Sequence, residues 1–380
     1  MRSSLARVLV LLCLSALLAC SAAPAASPGA PARAEAHGGA AAPAAQRAAP
    51  DNYFAGKTLT ILVNLSAGGP TDVFARMIAQ YLARHIPGNP SLVVENRTGA
   101  GGTIGLNHLY SVAKKDGLTL GVVSAPFDNQ LFGDPTGIEY DASKFYWVGS
   151  VGESEVGFVS KDLGVKTPRD LVSTSNEVVL GGLKRESVKD LYDRTFLDLL
   201  GVKYKYVTGY PGNADARLAM QRGEINFYSE SLTGWFTAIV PLAQEGTVVP
   251  LGQTGLIKNG QVVRDPRVKD IPTYPEVAAD LRGDQIKDTT AYHATVPLAQ
   301  TLSMLRAIIY PPGTPPEIGE IMRQAMVDTF ADPEFQALSM KQVGFVMELT
   351  PGAEAEQLAR QIIEEPDRAA LDHLNSMTRE

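Results

Sequence analysis

The sequence predicts an α/β fold of two lobes, each a mostly parallel sheet with flanking helices. Short apolar segments alternate with amphipathic helical segments through short loops, which is typical of parallel sheets with right-handed crossovers. The same alternation restarts after residue 176, so a second unit of this kind follows the first. About 330 residues remain beyond the N-terminal segment, enough for two lobes with a ligand cleft between them.

The first unit opens with a strand at 59–63, a loop of small residues and an amphipathic helix at 73–82. Gly68 and Gly69 allow a sharp turn, and Pro70 has the fixed φ that the first turn of a helix favours. Such a loop directs free backbone N–H groups and the positive end of a helix dipole to one place. The loop therefore predicts a site for an anion.

The first unit continues with strands at 91–96 and 118–123 and with a second glycine-rich turn between them. In open parallel sheets the ligand lies beyond the carboxyl ends of the strands, where the loops converge. Ser124 follows the third strand directly. It is therefore a candidate to face the ligand.

The second glycine-rich turn has Gly99, Gly101 and Gly105 after a strand, which also resembles some dinucleotide-binding turns. Those turns are usually accompanied by an acidic residue at the end of the next strand, which holds the ribose hydroxyls. Ser124 and not an acid stands there in this chain. We therefore interpret the glycines as packing residues and expect no cofactor.

The second unit repeats the alternation of strands and helices. Its predicted elements are strands at 177–181, 202–207 and 225–229 and helices at 188–200 and 214–222. Gly181 and Gly182 form the turn before the first of these helices, and Tyr210 lies in the turn before the second. With Ser229, which ends a strand, they are the candidate ligand-facing residues of this unit.

Two apolar segments, 156–160 and 305–310, are the predicted crossovers between the lobes. They divide the chain into a first lobe, 51–157 with 305–380, and a second lobe, 158–304. Two crossing strands would form a hinge, so we expect the lobes to close around a ligand.

Three motifs in the first third of the chain occur in the order and spacing of one protein family. They are Ala-Gly-Gly-Pro-Thr-Asp at 67–72, Val-Glu-Asn at 94–96 with Gly-Ala-Gly-Gly-Thr-Ile-Gly at 99–105, and Asp-Gly-Leu-Thr-Leu at 116–120. They resemble the periplasmic substrate-binding receptors of tripartite tricarboxylate transporters, often called Bug proteins. The first loop of that family usually opens with Pro-Phe, whereas this chain has Asn64-Leu65, so the resemblance is to a divergent member.

The resemblance implies a type II-like periplasmic-binding-protein fold and a non-enzymatic function. The ligand would be a small mono-, di- or tricarboxylate, passed to the membrane subunits of an ion-coupled transporter. In the family, the first loop and its counterpart in the second lobe hold the proximal carboxylate, partly through water. The matching positions are 66–72 in the first lobe and 181–187 in the second. The candidate contacts among them are Ser66, Ala67, Gly68, Gly69, Thr71, Asp72, Gly181 and Gly182. We expect Asp72 to cap the helix or hold water, since an ionised carboxylate would repel the ligand.

The second-lobe loop departs from the family, which favours small and hydroxyl-bearing residues there. Lys184, Arg185 and Glu186 stand in that place. Either cation could pair with a distal carboxylate of the ligand. A solvated loop with an internal ion pair is the interpretation that we favour.

The sequence contains no arrangement that predicts catalysis or metal binding. There is no Gly-x-Ser-x-Gly motif, and the Ser-x-x-Lys match at 111–114 has no companion motif. The five histidines lack the spacing of metal ligands. The net charge of −7 and the absence of a basic stripe argue against a nucleic-acid partner.

The N-terminus predicts export with a lipid anchor. Arg2 and Arg7 form a basic region before the apolar run 8–18, which is short for a membrane span, and Leu-Leu-Ala-Cys at 17–20 resembles a bacterial lipobox. We expect residues 1–19 to be a signal peptide and Cys20 to be acylated, although ordinary secretion is the alternative. The alanine- and proline-rich segment 20–50 would then tether a monomeric periplasmic module to the membrane.

Two other functions stay open at the level of sequence. The ligand-bound protein could signal to a sensor kinase instead of a transporter. An exported enzyme acting on a carboxylate is a further alternative, which would show turnover and depend on one nucleophile or metal.

Overall fold

A computed structural model describes residues 52–133, 136–258 and 260–379. The predicted signal peptide, the lipidation site Cys20 and the predicted tether at 20–50 lie outside these residues. Within the described part of the chain, no helix combines the length and the apolar character needed to cross a bilayer.

The described residues form two main sheets and a small hairpin sheet. The strands are β1 (Thr58–Val63), β2 (Ser91–Asn96), β3 (Thr119–Ser124), β4 (Tyr146–Val151), β5 (Glu155–Ser160), β6 (Val178–Gly181), β7 (Tyr204–Val207), β8 (Phe227–Ser231), β9 (Val248–Gln253), β10 (Leu256–Lys258), β11 (Gln261–Val263), β12 (Arg306–Tyr310) and β13 (Thr350–Pro351). The first sheet has the order β13-β4-β12-β3-β1-β2, the second β7-β6-β8-β5-β9, and β10 pairs with β11.

The two sheets share one pattern of strand directions. In the first, β1 pairs in parallel with β2 and β3, and β12 pairs antiparallel with β3 and β4. In the second, β6 pairs in parallel with β7 and β8, and β5 pairs antiparallel with β8 and β9. The predicted α/β fold with two sheets is therefore confirmed, with one antiparallel strand inserted into the parallel part of each sheet.

The predicted crossover segments were wrong in position. The segment 156–160 lies within β5 of the second sheet, and 306–310 is β12 of the first. The chain passes between the sheets at 152–154 and returns at 303–305. The apolar character of the two segments reflects burial inside a sheet, whereas the first passage contains the polar residues Glu153 and Ser154.

Helices flank both sheets. They are α1 (Pro70–His85), α2 (Thr103–Asn107), α3 (Asp128–Leu131), α4 (Pro168–Ser173), α5 (Val188–Leu199), α6 (Asn213–Gln221), α7 (Leu232–Gly234), α8 (Val240–Gln244), α9 (Tyr274–Arg282), α10 (Thr290–His293), α11 (Thr295–Leu302), α12 (Pro316–Ala331), α13 (Pro333–Val343), α14 (Gly352–Glu364) and α15 (Arg368–Arg379). Helix α1 begins at Pro70, as the sequence predicted, and packs against α12.

The last two helices pack on different parts of the fold. Helix α14 packs against β4 of the first sheet, whereas α15 packs against α5 and α10. Leu374 and Met377 of α15 are buried in a hydrophobic cluster with residues of β6, α5 and α9, in which Phe196 and Tyr274 stack with ring centroids 4.0 Å apart. The C-terminal segment therefore contacts the first sheet through α14 and helices beside the second sheet through α15.

Candidate functional site

A cavity of about 30 Å³ lies where loops that follow strands of the two sheets meet. Residues on the first-sheet side are Leu65, Pro70, Thr71, Gly101, Ser124, Ala125, Asp128, Leu305 and Arg306. Residues on the second-sheet side are Glu155, Leu183, Ser187, Val188, Lys189, Asn213 and Ser231. A volume of this size has room for only a few water molecules. The cleft is therefore closed in this conformation.

Direct contacts between the first glycine loop and helix α6 hold the cleft closed. Ser66 Oγ donates to Asp215 Oδ2 at 2.8 Å, and Arg217 Nη2 donates to the carbonyl oxygen of Gly68 at 3.2 Å. A Cβ at Gly212 would lie 2.9 Å from Ser66 Oγ, so the backbone of the second-sheet loop approaches the first loop closely. The first loop thus contributes a surface for closure as well as a helix start.

Asp72 stabilises the first glycine loop. Its Oδ2 accepts hydrogen bonds of 2.9 Å from Gly68 N–H and from Arg76 Nε. Burial opposes the charge, but these hydrogen bonds hold the pKa of Asp72 below its usual value. Asp72 makes no capping hydrogen bond to the helix start, where Gly69 is the cap residue. Of its two predicted roles, helix capping is therefore wrong, and water holding stays a prediction.

Asn64, which marks the departure from the family motif, joins the ends of two neighbouring strands. Its Oδ1 accepts from Ser124 N–H at 2.9 Å, and its Nδ2 donates to the Ser124 carbonyl oxygen at 3.0 Å. This two-way contact fixes the backbone that presents Ser124 to the cavity. Asn64, one of the two residues that replace the family's Pro-Phe, therefore fixes the position of Ser124.

The structure brings only some of the predicted site residues to the cavity. Thr71 and Ser124 line it, whereas Ser66, Ala67, Gly68 and Gly69 form the adjoining loop and Asp72 lies behind that loop. Ala67 and Gly68 are exposed. Their roles in ligand binding stay predictions.

Of the second-sheet positions, Leu183 and Ser187 line the cavity, whereas the four singled-out candidates, Gly181, Gly182, Tyr210 and Ser229, lie away from its wall. A Cβ at Gly182 would lie 2.5 Å from the Tyr206 ring, so this glycine is needed for close packing, as is Gly181 against Ile225. Tyr210 is half-buried and packs against the hydrophobic cluster that contains residues of α1 and α12. Ser229 is fully buried among charged side chains described below. These four residues also stay predictions as ligand contacts.

Arg306 is a cavity residue that the sequence reasoning missed. It is 1 % exposed, pairs with Glu153 through Nη1 and donates from Nη2 to Ser231 Oγ at 2.7 Å. Within the described residues its Nε has no hydrogen-bond partner. Glu153 also accepts from Thr233 N–H at 2.7 Å and from Thr233 Oγ1 at 2.6 Å. A buried arginine with one free donor is a natural contact for a carboxylate.

Lys189 is a second buried cation at the cavity. Its Nζ lies 2.7 Å from Asp190 Oδ1, 3.5 Å from Asp193 Oδ2 and 4.1 Å from the centre of the Tyr228 ring. Burial disfavours its charge, but Asp190 and the other acids hold the pKa of Lys189 well above its usual value. Lys189 is therefore charged and already compensated.

Two carboxyl groups lie next to Lys189 in the same buried region. Tyr274 O–H donates to Asp193 Oδ1 at 2.8 Å, and Ser229 Oγ lies 2.5 Å from Asp193 Oδ2 and 3.3 Å from Glu155 Oε2. Burial raises the pKa of Asp193, and it raises the pKa of Glu155 well above its usual value. This region therefore favours either protonated carboxyls or an added positive charge.

Asp128 is the fourth ionisable residue on the cavity wall. It is fully buried, its Oδ2 accepts from Val188 N–H at 3.2 Å, and Lys184 Nζ lies 4.0 Å away. Its Oδ1 has no partner within the described residues. Burial raises the pKa of Asp128 to about 7.

Lys184 corrects one of the sequence interpretations. Its side chain is 10 % exposed and contacts Asn129 Oδ1, and only the neighbouring Arg185 is exposed. The prediction of a solvated loop was therefore wrong for Lys184, because the buried carboxylate of Asp128 draws the ammonium inward. Among the described residues, no group of acids, histidines or cysteines is arranged to hold a metal ion.

The charged residues of the cavity had a signal in the sequence. Arg306 opens the otherwise apolar strand β12, and Glu153 and Glu155 flank one serine before the apolar part of β5. An ionisable residue within an apolar segment indicates a buried pair, because an unpaired buried charge is costly. The partners, however, are distant in sequence.

Comparison with known proteins gives consistent matches. A model of the tripartite tricarboxylate transporter family receptor matches residues 74–370. The "UPF0065 protein in the TAR-I ttuE-ttuC′ intergenic region" of Agrobacterium vitis is 27% identical over 318 residues, which are 80% of this chain and 84% of that protein.

Solved structures share the fold at low sequence identity. The periplasmic binding protein BugD has a TM-score of 0.66 and 20% identity, covering 84% of this chain and 97% of its own. MatC from Rhodopseudomonas palustris with bound malate has a TM-score of 0.61 and 20% identity, covering 85% and 99%. An R. palustris protein with adipate has a TM-score of 0.63 and 21% identity, covering 85% and 97%.

Proposed function

Because the chain belongs to the tripartite tricarboxylate transporter receptor family, we propose that it captures a small carboxylate outside the cytoplasm and delivers it to an ion-coupled membrane transporter. Two structurally similar proteins hold carboxylates, malate in one and adipate in the other, which supports this ligand class. The family is one of substrate-binding receptors, so we propose binding without turnover.

The observation that carries the proposal is the composition of the cavity wall. The start of α1 contributes Pro70 and Thr71, and helix geometry leaves the first N–H groups of α1 without intrahelical acceptors. Arg306 adds a buried guanidinium with a free Nε. We propose that one ligand carboxylate binds between these donors, with Ser66, Gly69 and Ser124 shaping the loops around it.

A ligand larger than water requires the cleft to open first. We propose that two lobes, one built on the first sheet and one on the second, move about the passages at 152–154 and 303–305, while α15 stays with the second sheet. The contacts of Ser66 with Asp215 and of Arg217 with Gly68 would break on opening and form again around the ligand. Small-angle scattering should show a smaller radius of gyration with saturating ligand than without.

A thermal-shift screen tests the proposal directly. The mature protein is heated with mono-, di- and tricarboxylates, and sodium chloride at matched ionic strength is the control. A ligand at 100 times its dissociation constant stabilises by about 2.7 kcal/mol, which gives a clear rise in melting temperature. If no carboxylate raises the melting temperature above the chloride control, the proposed ligand class is wrong.

The anchoring of the protein is a separate proposal. We propose that it is a periplasmic monomer joined to the membrane by acylated Cys20, as the lipobox-like sequence suggests. Intact mass of the membrane-extracted protein should match a chain that begins at Cys20 and carries lipid. A soluble mature chain without lipid would contradict this proposal and leave the ligand proposal intact.

A further inference from the structure

Two buried side chains of opposite charge each present an unsatisfied atom at the cavity. Arg306 is 1 % exposed and Asp128 is 0 % exposed, and both line the cavity. Within the described residues, Arg306 Nε has no acceptor and Asp128 Oδ1 has no donor. Buried polar atoms are almost always hydrogen-bonded. A ligand that supplies both an acceptor and a donor would satisfy both atoms.

The cations of the cavity wall are already compensated. Arg306 pairs with Glu153. Lys189 Nζ lies 2.7 Å from Asp190 Oδ1 and 3.5 Å from Asp193 Oδ2, so its charge is compensated, although within the described residues it makes no hydrogen bond of good geometry. These two cations therefore face three carboxylates that do not belong to the cavity wall. A second ligand carboxylate would meet no uncompensated cation at these two residues.

The carboxylates of the wall have less compensation than the cations. Asp128 has Lys184 at 4.0 Å, beyond hydrogen-bond distance, and a single hydrogen bond from Val188 N–H. Glu155 has a hydroxyl contact, Ser229 Oγ at 3.3 Å. If all of these groups are ionised, the negative charges outnumber the positive ones, and such a surplus costs free energy in a buried site. The carboxylates are those of Asp128, Glu153, Glu155, Asp190 and Asp193, and the cations are Lys184, Lys189 and Arg306.

We infer that the ligand of this cavity carries a protonated amine beside a carboxylate, as small amino acids do, and that Asp128 accepts a hydrogen bond from that amine. The inference rests on the proposed binding function and names its substrate class. The carboxylate binds at Arg306 Nε and the start of α1. The ammonium binds at Asp128 Oδ1 and offsets the surplus of negative charge that it shares with Glu155.

Matched ligand pairs that differ by one amine test the inference. Calorimetry compares propionate with alanine, succinate with aspartate, and glutarate with glutamate on the mature protein at pH 8. In at least one pair, the amino acid should bind ten times more tightly or better than its unsubstituted partner. The variant Asp128→Asn should lose at least tenfold affinity for that amino acid, while its affinity for the unsubstituted acid stays equal or rises.

Controls separate the outcomes. Asp332→Asn removes a carboxylate at the start of α13 that contacts His85, away from the cavity. This variant should bind the amino acid as the natural protein does. If Asp128→Asn does not fold, Glu155→Gln provides the same comparison, with a selective loss of the amino acid.

Unsubstituted acids that bind as tightly as their amino partners in every pair would overturn the inference and leave carboxylate binding intact. Equal losses for both members of a pair in Asp128→Asn would also overturn it. If no carboxylate of any kind binds, the proposed function and this inference both fail.

Discussion

The two sides of the cavity are built on the same strand order but use different chemistry. On the first-sheet side, the loops at 66–69 and 99–102 consist of small residues, and Gly68, Gly101 and Gly102 adopt left-handed backbone conformations. On the second-sheet side, Lys189 and its acidic neighbours form a buried network of charged side chains. The first side therefore combines backbone donors with the buried side chains of Asp128 and Arg306, whereas the second side presents mainly charged side chains.

The difference shows where specificity can reside. Backbone N–H groups can donate hydrogen bonds to any carboxylate of suitable size, because they recognise the anion and not the rest of the molecule. Buried charged side chains discriminate more strongly, because a mismatched ligand leaves a charge without a partner. We expect the loop at 66–69 and the start of α1 to supply general anion binding, and the buried charged side chains, Asp128 and Glu155 among them, to select among ligands.

The largest expected effect is the loss of the buried pair between Arg306 and Glu153. Arg306→Met leaves Glu153 buried without its cation, which should lower the free energy of unfolding by about 3–5 kcal/mol. Denaturant unfolding measures this change. Arg360→Met is the matched control, because Arg360 is 56% exposed in its pair with Glu356 and should cost no more than about 1 kcal/mol. Equal small losses in the two variants would show that the buried pair does not stabilise the fold.

The second effect is a pH dependence that originates at Asp128. Its folded pKa of about 7 lies above the value of 3.8 for the free side chain, so the folded protein binds its proton more tightly. Binding of this proton stabilises the folded state, and the contribution is fully present below about pH 4 and is lost as the pH rises through about 7. Asp128→Asn should therefore match the natural protein near pH 4 and become more stable at pH 8, by at most about 4 kcal/mol.

Melting curves from pH 4 to 8 measure the Asp128 effect, with Asp332→Asn as a contrast of opposite sign. Hydrogen bonding from the Glu334 N–H holds the pKa of Asp332 below its usual value, so its ionised form stabilises the fold at neutral pH. Asp332→Asn should lose stability at pH 8 relative to the natural protein. A difference between Asp128→Asn and the natural protein that does not grow with pH would contradict the assignment to Asp128.

A third, intermediate effect compares two glycines across the cleft. A Cβ at Gly182 would press on the Tyr206 ring, and such overpacking costs about 1–3 kcal/mol. Gly68 has open space but a φ of 76°, so Gly68→Ala should cost about 1–2 kcal/mol through backbone strain alone. Gly68→Asn should recover part of that loss, because Asn tolerates this conformation, whereas Gly182→Asn should be worse than Gly182→Ala. Recovery at both sites would contradict the distinction between strain and crowding.

The contrast between the two sides also explains what the sequence could predict. The loop at 66–69 and the start of α1 at Pro70 depend on local rules for glycine and proline, so they were predicted with little error. Arg306 and Glu153 are separated by 153 positions, and nothing local indicates that they meet. Gly182 was predicted as a ligand contact because its turn resembled the first loop, but its environment depends on Asp190 and Tyr206. Local conformation was therefore predictable, and long-range charge pairing was not.

The smallest expected effect concerns the contact that joins the two sides. Ser66 Oγ donates to Asp215 Oδ2 across 149 positions of sequence, in a partly exposed position. Ser66→Ala should lower the free energy of unfolding by about 1 kcal/mol, the value of one hydrogen bond in partial contact with water. A double-mutant cycle with Asp215→Ala isolates the contact, and a coupling energy of at least about 0.5 kcal/mol is expected. Because the same contact holds the cleft closed, Ser66→Ala should also speed hydrogen exchange at the amides of residues 66–69. Additive effects of the two substitutions, with unchanged exchange, would show that the cleft closes without this bond.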